Sequence, residues 1–388
     1  MKLFHTADWH LGKLVQGVYM TEDQRYALQQ LLEAIEAERP DAVIIAGDLY
    51  DRAVPPTEAV ELLDELLERI VIGLNTPVLA ISGNHDSPDR ISFGTKLMES
   101  RGLYLVGQLK AEPEPVVLRD AGGEVHFHLI PYADPAQVRH LLGDETIRTH
   151  DDAMRAVVKG LEARMDPAAR QVFVGHAFVT ASGEPAANTS ESERPLAVGG
   201  AEHVSAAYFE RFHYTALGHL HQAHFVRNET IRYAGSPLKY SISEENHVKG
   251  FYVVELDESG AVHIEKRELK PLRNLRRVTA SIEELEKHEP NEDYVFVTLL
   301  NDNPVLFPME KVRAVYPNTL HVERRAASLA GTDGAAEEAG SGGRREADPI
   351  ELFAAFYQEV KGQSLSEAKK RIFAESYAEL LREEGGAV

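Results

Sequence analysis

The feature that most constrains the fold of this chain is a short apolar run that recurs along residues 1–270 and each time ends in polar residues. The runs are Lys2–Thr6, Ala42–Ala46, Val78–Ile81, Val172–Val174 and Tyr214–Leu217. Each run is too short for a helix and rich in β-branched or aromatic residues, so the pattern predicts buried strands. Loops at strand ends are the usual place for a functional site.

Helical patterns lie between the early runs. One predicted apolar face comprises Tyr26, Leu28, Leu31, Leu32 and Ile35. A second comprises Val60, Leu63, Leu67 and Ile70. Strands that alternate with helices predict an α/β domain.

Charge and cysteine content restrict the chemistry that such a domain can carry. The 388 residues carry a net charge of −21 and include no cysteine. Disulfides and thiolate zinc sites are therefore excluded, and a simple basic DNA-binding surface is disfavoured. An acidic chain can still hold nucleic acid if bound cations and a local basic strip face the phosphates. No apolar run reaches the ~18 residues of a membrane span, and the first residues lack the apolar centre of a signal peptide, so a cytoplasmic protein is expected.

The pattern divides the chain into four parts. Residues 1–270 form the α/β domain, and 271–325 show the short strands, the short helix and the Ser281…Glu284 capping box of a small α+β unit. Residues 326–347 are rich in Ala, Gly and Glu, which predicts a flexible linker. Residues 348–388 carry two amphipathic helices, the second opened by a capping box at Ser364…Glu367. Their apolar stripes are Ile350, Phe353, Phe356, Tyr357 and Val360, and then Leu365, Ile372, Phe373, Tyr377 and Leu380.

Five polar clusters stand at the ends of the predicted strands. They are Asp8-Trp9-His10, Gly47-Asp48, Gly83-Asn84-His85-Asp86, Gly175-His176 and Gly218-His219-Leu220-His221. Carboxylate and amide oxygens together with imidazoles suit manganese, iron, magnesium or zinc. In an extended segment alternate residues point the same way, so the D-x-H and H-x-H pairs can face one ion or two neighbouring ions. Each cluster alone is a weak signal, but all five in order predict a metal centre. Histidines without such a setting, such as His5 and His128, are expected on the surface or in packing roles.

In this order the clusters form the signature of the calcineurin-like metallophosphoesterases. The resemblance implies an α/β (α+β) fold in which a double β-sheet sandwich is flanked by helices. Within that superfamily the chain resembles the SbcD family, the nuclease subunits of bacterial SbcCD complexes, from Met1 to about Leu256 and more loosely beyond. The segments that carry the resemblance are HTADWHLGK, GDLYDRAVPP, ISGNHDSPDR, SERPLAVGG, GHLHQ and AGSPLKYSISE.

The resemblance implies a role for each residue of the clusters. One metal ion is expected on Asp8, His10, Asp48 and His221. A second ion is expected on Asp48, Asn84, His176 and His219. Asp48 is then the bridging carboxylate. His85 is expected to stabilise the transition state or to protonate the leaving group, and Asp86 to orient His85. A turn-capping role is the alternative for Asp86.

The family also implies substrates and partners. It predicts two-metal in-line hydrolysis of DNA phosphodiesters with Mn²⁺, as a double-strand exonuclease and a hairpin or single-strand endonuclease in recombination, replication and repair. It predicts a homodimer within a heterotetramer that contains the SbcC ATPase, whose coiled coil receives residues 348–388, while 271–325 cap the nuclease and contact DNA. The candidate DNA contacts are Lys13, Arg90, Lys270, Arg273, Arg276 and Arg277. For the run from Lys270 to Arg277, a solvated linker face is the alternative.

Two rival functions remain open at this point. GDLYDR also resembles the G-D-x-x-D-R of Ser/Thr protein phosphatases, so a phosphatase or a cyclic-nucleotide phosphodiesterase is one. Such an enzyme needs neither the basic unit nor the tethered helices, and a phosphatase would carry Glu in place of Asp86. The other rival is a scaffold that has lost catalysis, which should lack at least one of the expected ligands. None is replaced.

Overall fold

The computed structural model describes residues 1–181, 189–193, 196, 203–301, 303–325, 350–351, 353–354, 357 and 364–384. Two compact units are present, Met1–Ala327 and Ser328–Val388. The predicted linker 326–347, Phe356 and Val360 lie outside the described residues. Among the helices described, none is long and apolar enough to span a membrane.

The first unit consists of strands and mostly short helices. The strands are β1 (Lys2–Thr6), β2 (Leu14–Val15), β3 (Val18–Tyr19), β4 (Ala42–Ile45), β5 (Val78–Ile81), β6 (Leu103–Val106), β7 (Val116–Asp120), β8 (Gly123–Ile130), β9 (Arg170–His176), β10 (Val179–Thr180), β11 (Val204–Ser205), β12 (Tyr214–Gly218), β13 (His224–Val226), β14 (Asn228–Tyr233), β15 (Gly250–Leu256), β16 (Val262–Glu268), β17 (Leu275–Ala280), β18 (Tyr294–Leu299) and β19 (Thr319–Arg324). The helices are α1 (Thr21–Glu38), α2 (Thr57–Glu68), α3 (Pro88–Ile91), α4 (Thr95–Met98), α5 (Pro135–Leu142), α6 (His150–Glu162), α7 (Ile282–Leu285) and α8 (Pro308–Arg313).

Two six-stranded sheets form the larger part of this unit. Sheet I has the order β16-β15-β1-β4-β5-β6, and sheet II has the order β13-β14-β12-β9-β8-β7. Strands β1, β4, β5 and β6 run parallel, and so do β14, β12, β9 and β8. Side chains of both sheets, among them Leu3, Ile44, Phe127 and Val172, share one buried core. The double sheet predicted from the sequence is therefore confirmed.

Helices cover the outer face of each sheet. The apolar sides of α1 and α2 pack on sheet I through Leu28, Leu31 and Leu62, and α6 packs on sheet II through Val158 and Leu161. Each sheet is thus buried on both faces, which explains why the parallel strands read as continuous apolar runs.

The structure corrects the predicted helical faces at two positions. Tyr26 and Val60 are exposed, each 44% accessible, whereas the other residues assigned to those faces are buried. Tyr26 is two positions from Leu28, a separation that places the two side chains on opposite sides of a helix. Val60 is three positions from Leu63, so periodicity alone does not explain its exposure.

A third sheet forms the core of residues 271–325. It has three parallel strands in the order β17-β18-β19. The predicted capping box is present at the start of α7, where Ser281 and Glu284 bond each other's backbone N–H. Leu275, Tyr294 and Phe296 pack against Val15, Met20 and Tyr240 of the larger part. This small α+β unit therefore packs on the segment after β1 and on the segment between β14 and β15.

The second unit is helical where it is described. Helix α9 spans Glu367–Glu384, so it begins later than the predicted capping box, and Leu365 precedes it. The rings of Phe353 and Phe373 stack with centroids 3.9 Å apart, and Tyr377 lies 6.2 Å from Phe373. Ile372, which the sequence assigns to the same stripe, is 62% exposed.

Candidate metal centre

The polar clusters gather because the two sheets bring the carboxyl ends of their parallel strands to one place. Asp8 and His10 follow β1, Asp48 follows β4, and Asn84 follows β5 in sheet I. His176 ends β9, and His219 and His221 follow β12 in sheet II. In open α/β sheets the carboxyl ends of the strands are the usual ligand site.

Distances between the side chains place Asp48 in the middle of the group. Its Oδ2 lies 3.5 Å from Nε2 of His10 and 3.5 Å from Nε2 of His176. Nε2 of His10 lies 3.0 Å from Nε2 of His221, and Nε2 of His176 lies 2.9 Å from Oδ1 of Asn84. A carboxylate between two histidines is the arrangement that a bridging ligand requires.

His219 and Asp8 complete the group from opposite sheets. The ring of His219 lies 5.4 Å from that of His176. The backbone N–H of His219 donates to the Asp8 carboxylate at 2.9 Å. Donor atoms of Asp8, His10 and His221 lie within 4.8 Å of one another, and so do those of Asp8, Asp48 and His176. All seven predicted ligands therefore lie in one cluster.

The backbone of this cluster is strained. Asp8, His10 and Asp48 have φ angles of 53°, 45° and 51°, and His219 has φ 112°. Such conformations cost ~1–3 kcal/mol per residue and persist only where the surroundings enforce them. Here hydrogen bonds enforce them, from Asp8 N to Gly47 O at 3.0 Å and from His10 N to Asp48 O at 2.9 Å. The strained backbone therefore lowers the stability of the fold but directs these side chains into the cluster.

Two glycines allow the side chains to come this close. A Cβ atom at Gly83 would stand 2.1 Å from Oδ1 of Asp48, and one at Gly47 would stand 2.3 Å from Nδ1 of His176. Neither distance is compatible with a side chain. The glycines of the G-D and G-N-H-D motifs are thus required by contacts between strands that are distant in the sequence.

Burial sets the electrostatics of the cluster. Burial, with Asp48 nearby, raises the pKa of Asp8 well above its ordinary range. Burial likewise lowers the pKa values of His10, His176 and His219, so these rings are neutral. Neutral imidazoles and crowded carboxylates with little access to water form a site that lacks positive charge. Because every donor is an oxygen or an imidazole nitrogen, the site fits divalent cations.

His85 lies at the edge of the cluster and is half-buried. Its backbone N–H donates to Oδ1 of Asp48 at 2.9 Å, and its Nδ1 lies 2.8 Å from the carbonyl oxygen of Asp51. Its ring stands 4.7 Å from that of His10. His85 is therefore beside the predicted ligands, with one ring nitrogen fixed by the backbone.

The contacts of Asp86 are with backbone groups, which favours the turn-capping alternative over the role of orienting His85. Its carboxylate accepts hydrogen bonds from the backbone N–H groups of Leu49, Tyr50 and Gly83, at 3.1, 2.9 and 2.9 Å. Burial and the nearby Asp48 raise the pKa of Asp86 to about 7. Asp86 thus ties the loop after β4 to the loop after β5, as the turn-capping alternative has it. The group within hydrogen-bond distance of the His85 ring is the carbonyl oxygen of Asp51.

Several residues at the site were not predicted from the sequence. Buried Gln24 donates to the carbonyls of Trp9 and His10, at 3.1 and 2.8 Å. Glu193 accepts the backbone N–H of His221 at 2.7 Å, and Glu244 lies 3.1 Å from its Nδ1. The sequence does place Glu244 in the family segment AGSPLKYSISE, but a buried charge cannot be distinguished there from an exposed one.

The structure separates the candidate DNA contacts into two groups. Lys13 lies beside the cluster, its Nζ 2.8 Å from Oδ1 of Asp51, while Arg90 and Lys270 are exposed. The three arginines of the basic run instead each pair with acidic side chains. Arg273 pairs with Glu22 and Asp23, Arg276 with Asp293 and Arg277 with Glu245. The pairs of Arg273 and Arg277 connect the small unit to the larger part, and that of Arg276 lies within the small unit. All of them reduce the positive charge that the run offers to phosphates.

Comparison with known proteins agrees with this geometry. Residues 1–223 match the model of the calcineurin-like phosphoesterase family, and residues 271–361 match that of the type 5 capsule protein repressor C-terminal domain, SbcD_C. The SbcD subunit of the nuclease SbcCD from Staphylococcus epidermidis is 36% identical over 324 residues, which cover 82% of this chain and 84% of that protein.

Solved structures with related folds are more distant. The TT1561 protein of Thermus thermophilus has a TM-score of 0.38 at 11% identity, covering 68% of this chain and 98% of its own. A dimetal phosphatase from Danio rerio has a TM-score of 0.39 at 11% identity, covering 69% of this chain and 96% of its own. The family models and the sequence relative together decide the assignment: the chain belongs to the calcineurin-like phosphoesterases and, among them, to the SbcD family of nuclease subunits.

Proposed function

We propose that this protein is a DNA nuclease that hydrolyses phosphodiesters with two divalent metal ions, in DNA end processing, recombination and repair in the cytoplasm. The observation that carries the proposal is the gathering of six residues with oxygen or imidazole donors around the Asp48 carboxylate, in a chain of the SbcD family. Cleavage of double-stranded ends and of hairpins, with Mn²⁺ as the metal, is the activity proposed.

The residues fall into two ligand groups that share Asp48. Asp8, His10 and His221 would hold one ion with Asp48, because their donor atoms lie together on one side. Asn84, His176 and His219 would hold the other. Two ions bound here would place positive charge next to the phosphate. They would also lower the pKa of a water molecule bound to them to near neutrality.

His85 is the group proposed to act on the reacting atoms. Since the carbonyl of Asp51 can only accept, Nδ1 of His85 must carry a proton. Nε2 is then left for the substrate, and a protonated His85 can donate from it to the leaving alkoxide. The half-buried position leaves the ring within reach of a bound strand. Lys13, held beside the cluster by Asp51, would contact a phosphate.

Removal of metal tests the proposal directly. We expect EDTA to abolish cleavage of end-labelled linear and hairpin DNA and Mn²⁺ to restore it, because the site consists of oxygen and nitrogen donors without a thiolate. The same protein should act poorly on phosphoserine peptides and cyclic nucleotides. Undiminished DNA cleavage in excess EDTA would contradict the two-metal proposal, and preference for the peptides would favour a phosphatase.

The partner proposed for the C-terminal unit is the coiled coil of the SbcC ATPase. In the described part of this unit the rings of Phe353 and Phe373 stack on each other and the apolar side chain of Ile372 is exposed. A helix in a groove of the partner would bury these side chains. The Ala-, Gly- and Glu-rich composition of residues 326–347 suits a tether between the nuclease and such a module.

Truncation after Arg345 separates docking from folding. We expect the shortened chain to keep its melting temperature and its Mn²⁺-dependent nuclease activity, because residues 1–325 contain the complete metal cluster and its core. It should no longer co-purify with SbcC or respond to ATP. A large fall in melting temperature with aggregation would show that the C-terminal helices belong to the catalytic core. Intact SbcC binding would show that they are not the docking module.

We place the proposed homodimer contact on an exposed apolar groove that residues of α2 and of the segment from α3 to α4 line. Val60, Ile72, Phe93 and Leu97 line one groove and are 44%, 61%, 83% and 82% exposed. Contiguous exposed apolar side chains of this kind mark interaction surfaces. The variant Phe93→Glu/Leu97→Glu should therefore be a monomer by light scattering, whereas Leu141→Glu on α5 should not change the mass. If Phe93→Glu/Leu97→Glu had the same mass in solution as the wild type, this groove would not be the dimer contact.

A further inference from the structure

The Nδ1 atom of His221 is contacted by two side chains, one of which carries a charge. Nδ1 of His221 lies 3.1 Å from Oε1 of Glu244 and 2.7 Å from Oγ of Ser192. By contrast, Nδ1 of His176 lies 3.0 Å from the backbone carbonyl of Ala46. The orientation of His221 therefore depends on side chains that can be replaced.

Glu244 is fully buried and is paired with Lys249, which is 7% exposed. Nζ of Lys249 donates to Oε2 of Glu244 at 2.5 Å, to Oγ of Ser236 at 2.8 Å and to the carbonyl oxygen of His221 at 2.8 Å. An ammonium group has three donors, so these contacts use all of them. Glu244 thus contacts the ring of His221, and Lys249 contacts its backbone.

The hydrogen bonds determine which ring nitrogen of His221 carries the proton. Oε2 of Glu244 accepts from Lys249, and an ionised carboxylate can only accept through Oε1 as well. The hydroxyl of Ser192 also donates to Oε1 of Glu244, so its oxygen is left as an acceptor toward Nδ1. Because both neighbours of Nδ1 accept, Nδ1 of His221 must be the donor, which leaves the lone pair on Nε2. That Nε2 faces Nε2 of His10, 3.0 Å away, inside the cluster. Metal-binding histidines commonly donate their other ring N–H to a carboxylate in this way.

We propose that Glu244 is a positioning residue: by accepting a hydrogen bond from Nδ1 of His221, it fixes the tautomer and ring orientation that present Nε2 to the metal centre. Lys249 balances its buried charge and anchors the backbone of the same histidine. This inference rests on the proposed function, because it concerns how the proposed metal ligand is held.

Replacing Glu244 by Gln keeps the shape of the side chain but supplies an N–H that can donate to Nδ1. We expect Glu244→Gln to weaken Mn²⁺ binding by roughly 10–100-fold in calorimetric titrations of the full-length protein. In ¹⁵N–¹H spectra of the metal-free protein, His221 should be protonated on Nδ1 in the wild type and on Nε2 in the variant. Unchanged Mn²⁺ affinity together with an unchanged tautomer would overturn the proposal.

Asp23 provides a matched control. Its carboxylate is also buried, 1% exposed, and is paired with Arg273 at 2.9 Å and Tyr294 at 2.8 Å, away from any candidate ligand. Asp23→Asn should lower the melting temperature and leave Mn²⁺ affinity and the His221 tautomer as they are. If it weakened Mn²⁺ binding as much as Glu244→Gln does, loss of a buried ion pair would suffice to explain both, and the positioning role would be refuted.

A second variant is needed in case Glu244→Gln does not fold. Glu244→Gln leaves Lys249 buried without its partner, whereas Glu244→Gln/Lys249→Met removes both charges. The double variant should recover stability yet still bind Mn²⁺ roughly 10–100-fold more weakly than the wild type. If the double variant bound Mn²⁺ with wild-type affinity, the role of Glu244 would be only to balance the charge of Lys249. A wild-type protein that bound no Mn²⁺ would instead refute the proposed function, and the spectra would still decide the tautomer.

Discussion

Asp48→Asn is expected to lower kcat/KM for DNA cleavage by on the order of 10³-fold or more, a loss of ~4 kcal/mol of transition-state stabilisation. The reason is the position of Asp48 between the two ligand groups: its Oδ2 is 3.5 Å from Nε2 of both His10 and His176. An amide in its place removes the negative charge that both proposed ions share. The variant should therefore bind neither ion at concentrations that saturate the wild type.

The same substitution should not destabilise the metal-free fold. Asp8 and Asp86 both have raised pKa values to which the charge of Asp48 contributes, so removing that charge relieves repulsion inside the cluster. We expect the metal-free variant to melt at or above the wild-type temperature, and the stabilisation that added Mn²⁺ gives the wild type to be lost. Metal content, melting curves and cleavage rates measure these effects. Glu36→Gln, which removes an exposed charge on α1, serves as the control.

The result that would contradict this prediction is specific. If Asp48→Asn retained both ions and lost activity only a few-fold, Asp48 would not bridge the two groups. If the metal-free variant melted well below the wild type, the carboxylate would have a structural role through the hydrogen bond that Oδ1 accepts from His85 N.

His85→Gln should lower kcat by about 10²–10⁴-fold while metal content and DNA affinity stay close to wild type. Its ring bonds a backbone carbonyl and is not placed among the seven donors, so its loss should leave the ions in place. The contact between its backbone N–H and Asp48 survives the substitution. Single-turnover cleavage, metal analysis and DNA binding, measured on the same preparation, separate these effects.

His140→Gln, an exposed histidine on α5, is the control for the loss of an imidazole and should behave as the wild type. An empty metal site in His85→Gln would show that His85 is itself a ligand. His85 is close enough for such a role, because its donor atoms lie within 4.8 Å of those of His10 and Asp51. A fall in DNA affinity with unchanged kcat would assign the ring to substrate binding.

The sequence by itself was sufficient for the fold class and for the seven predicted ligands that gather at the site. Strand ends such as Thr6, Ile45 and Ile81 are visible as local apolar runs, and the polar clusters follow them within a few residues. Both signals are local, and parallel strands necessarily bring their carboxyl ends to one edge. The order and spacing of the clusters then limited the family, which the comparisons confirm. The metal-binding roles themselves stay predictions.

The partner of each buried charge was decided by the tertiary structure alone. Asp86 bonds backbone groups 36 or 37 residues away, Lys249 bonds the carbonyl of His221, and Arg273 bonds Asp23 across 250 residues. Periodicity reports which side of an element is apolar, but a charged residue has the same letter whether it is buried and paired or exposed to water. The energy of a charge depends on its distance from other charges and from solvent, and those distances exist only once the two sheets have packed together.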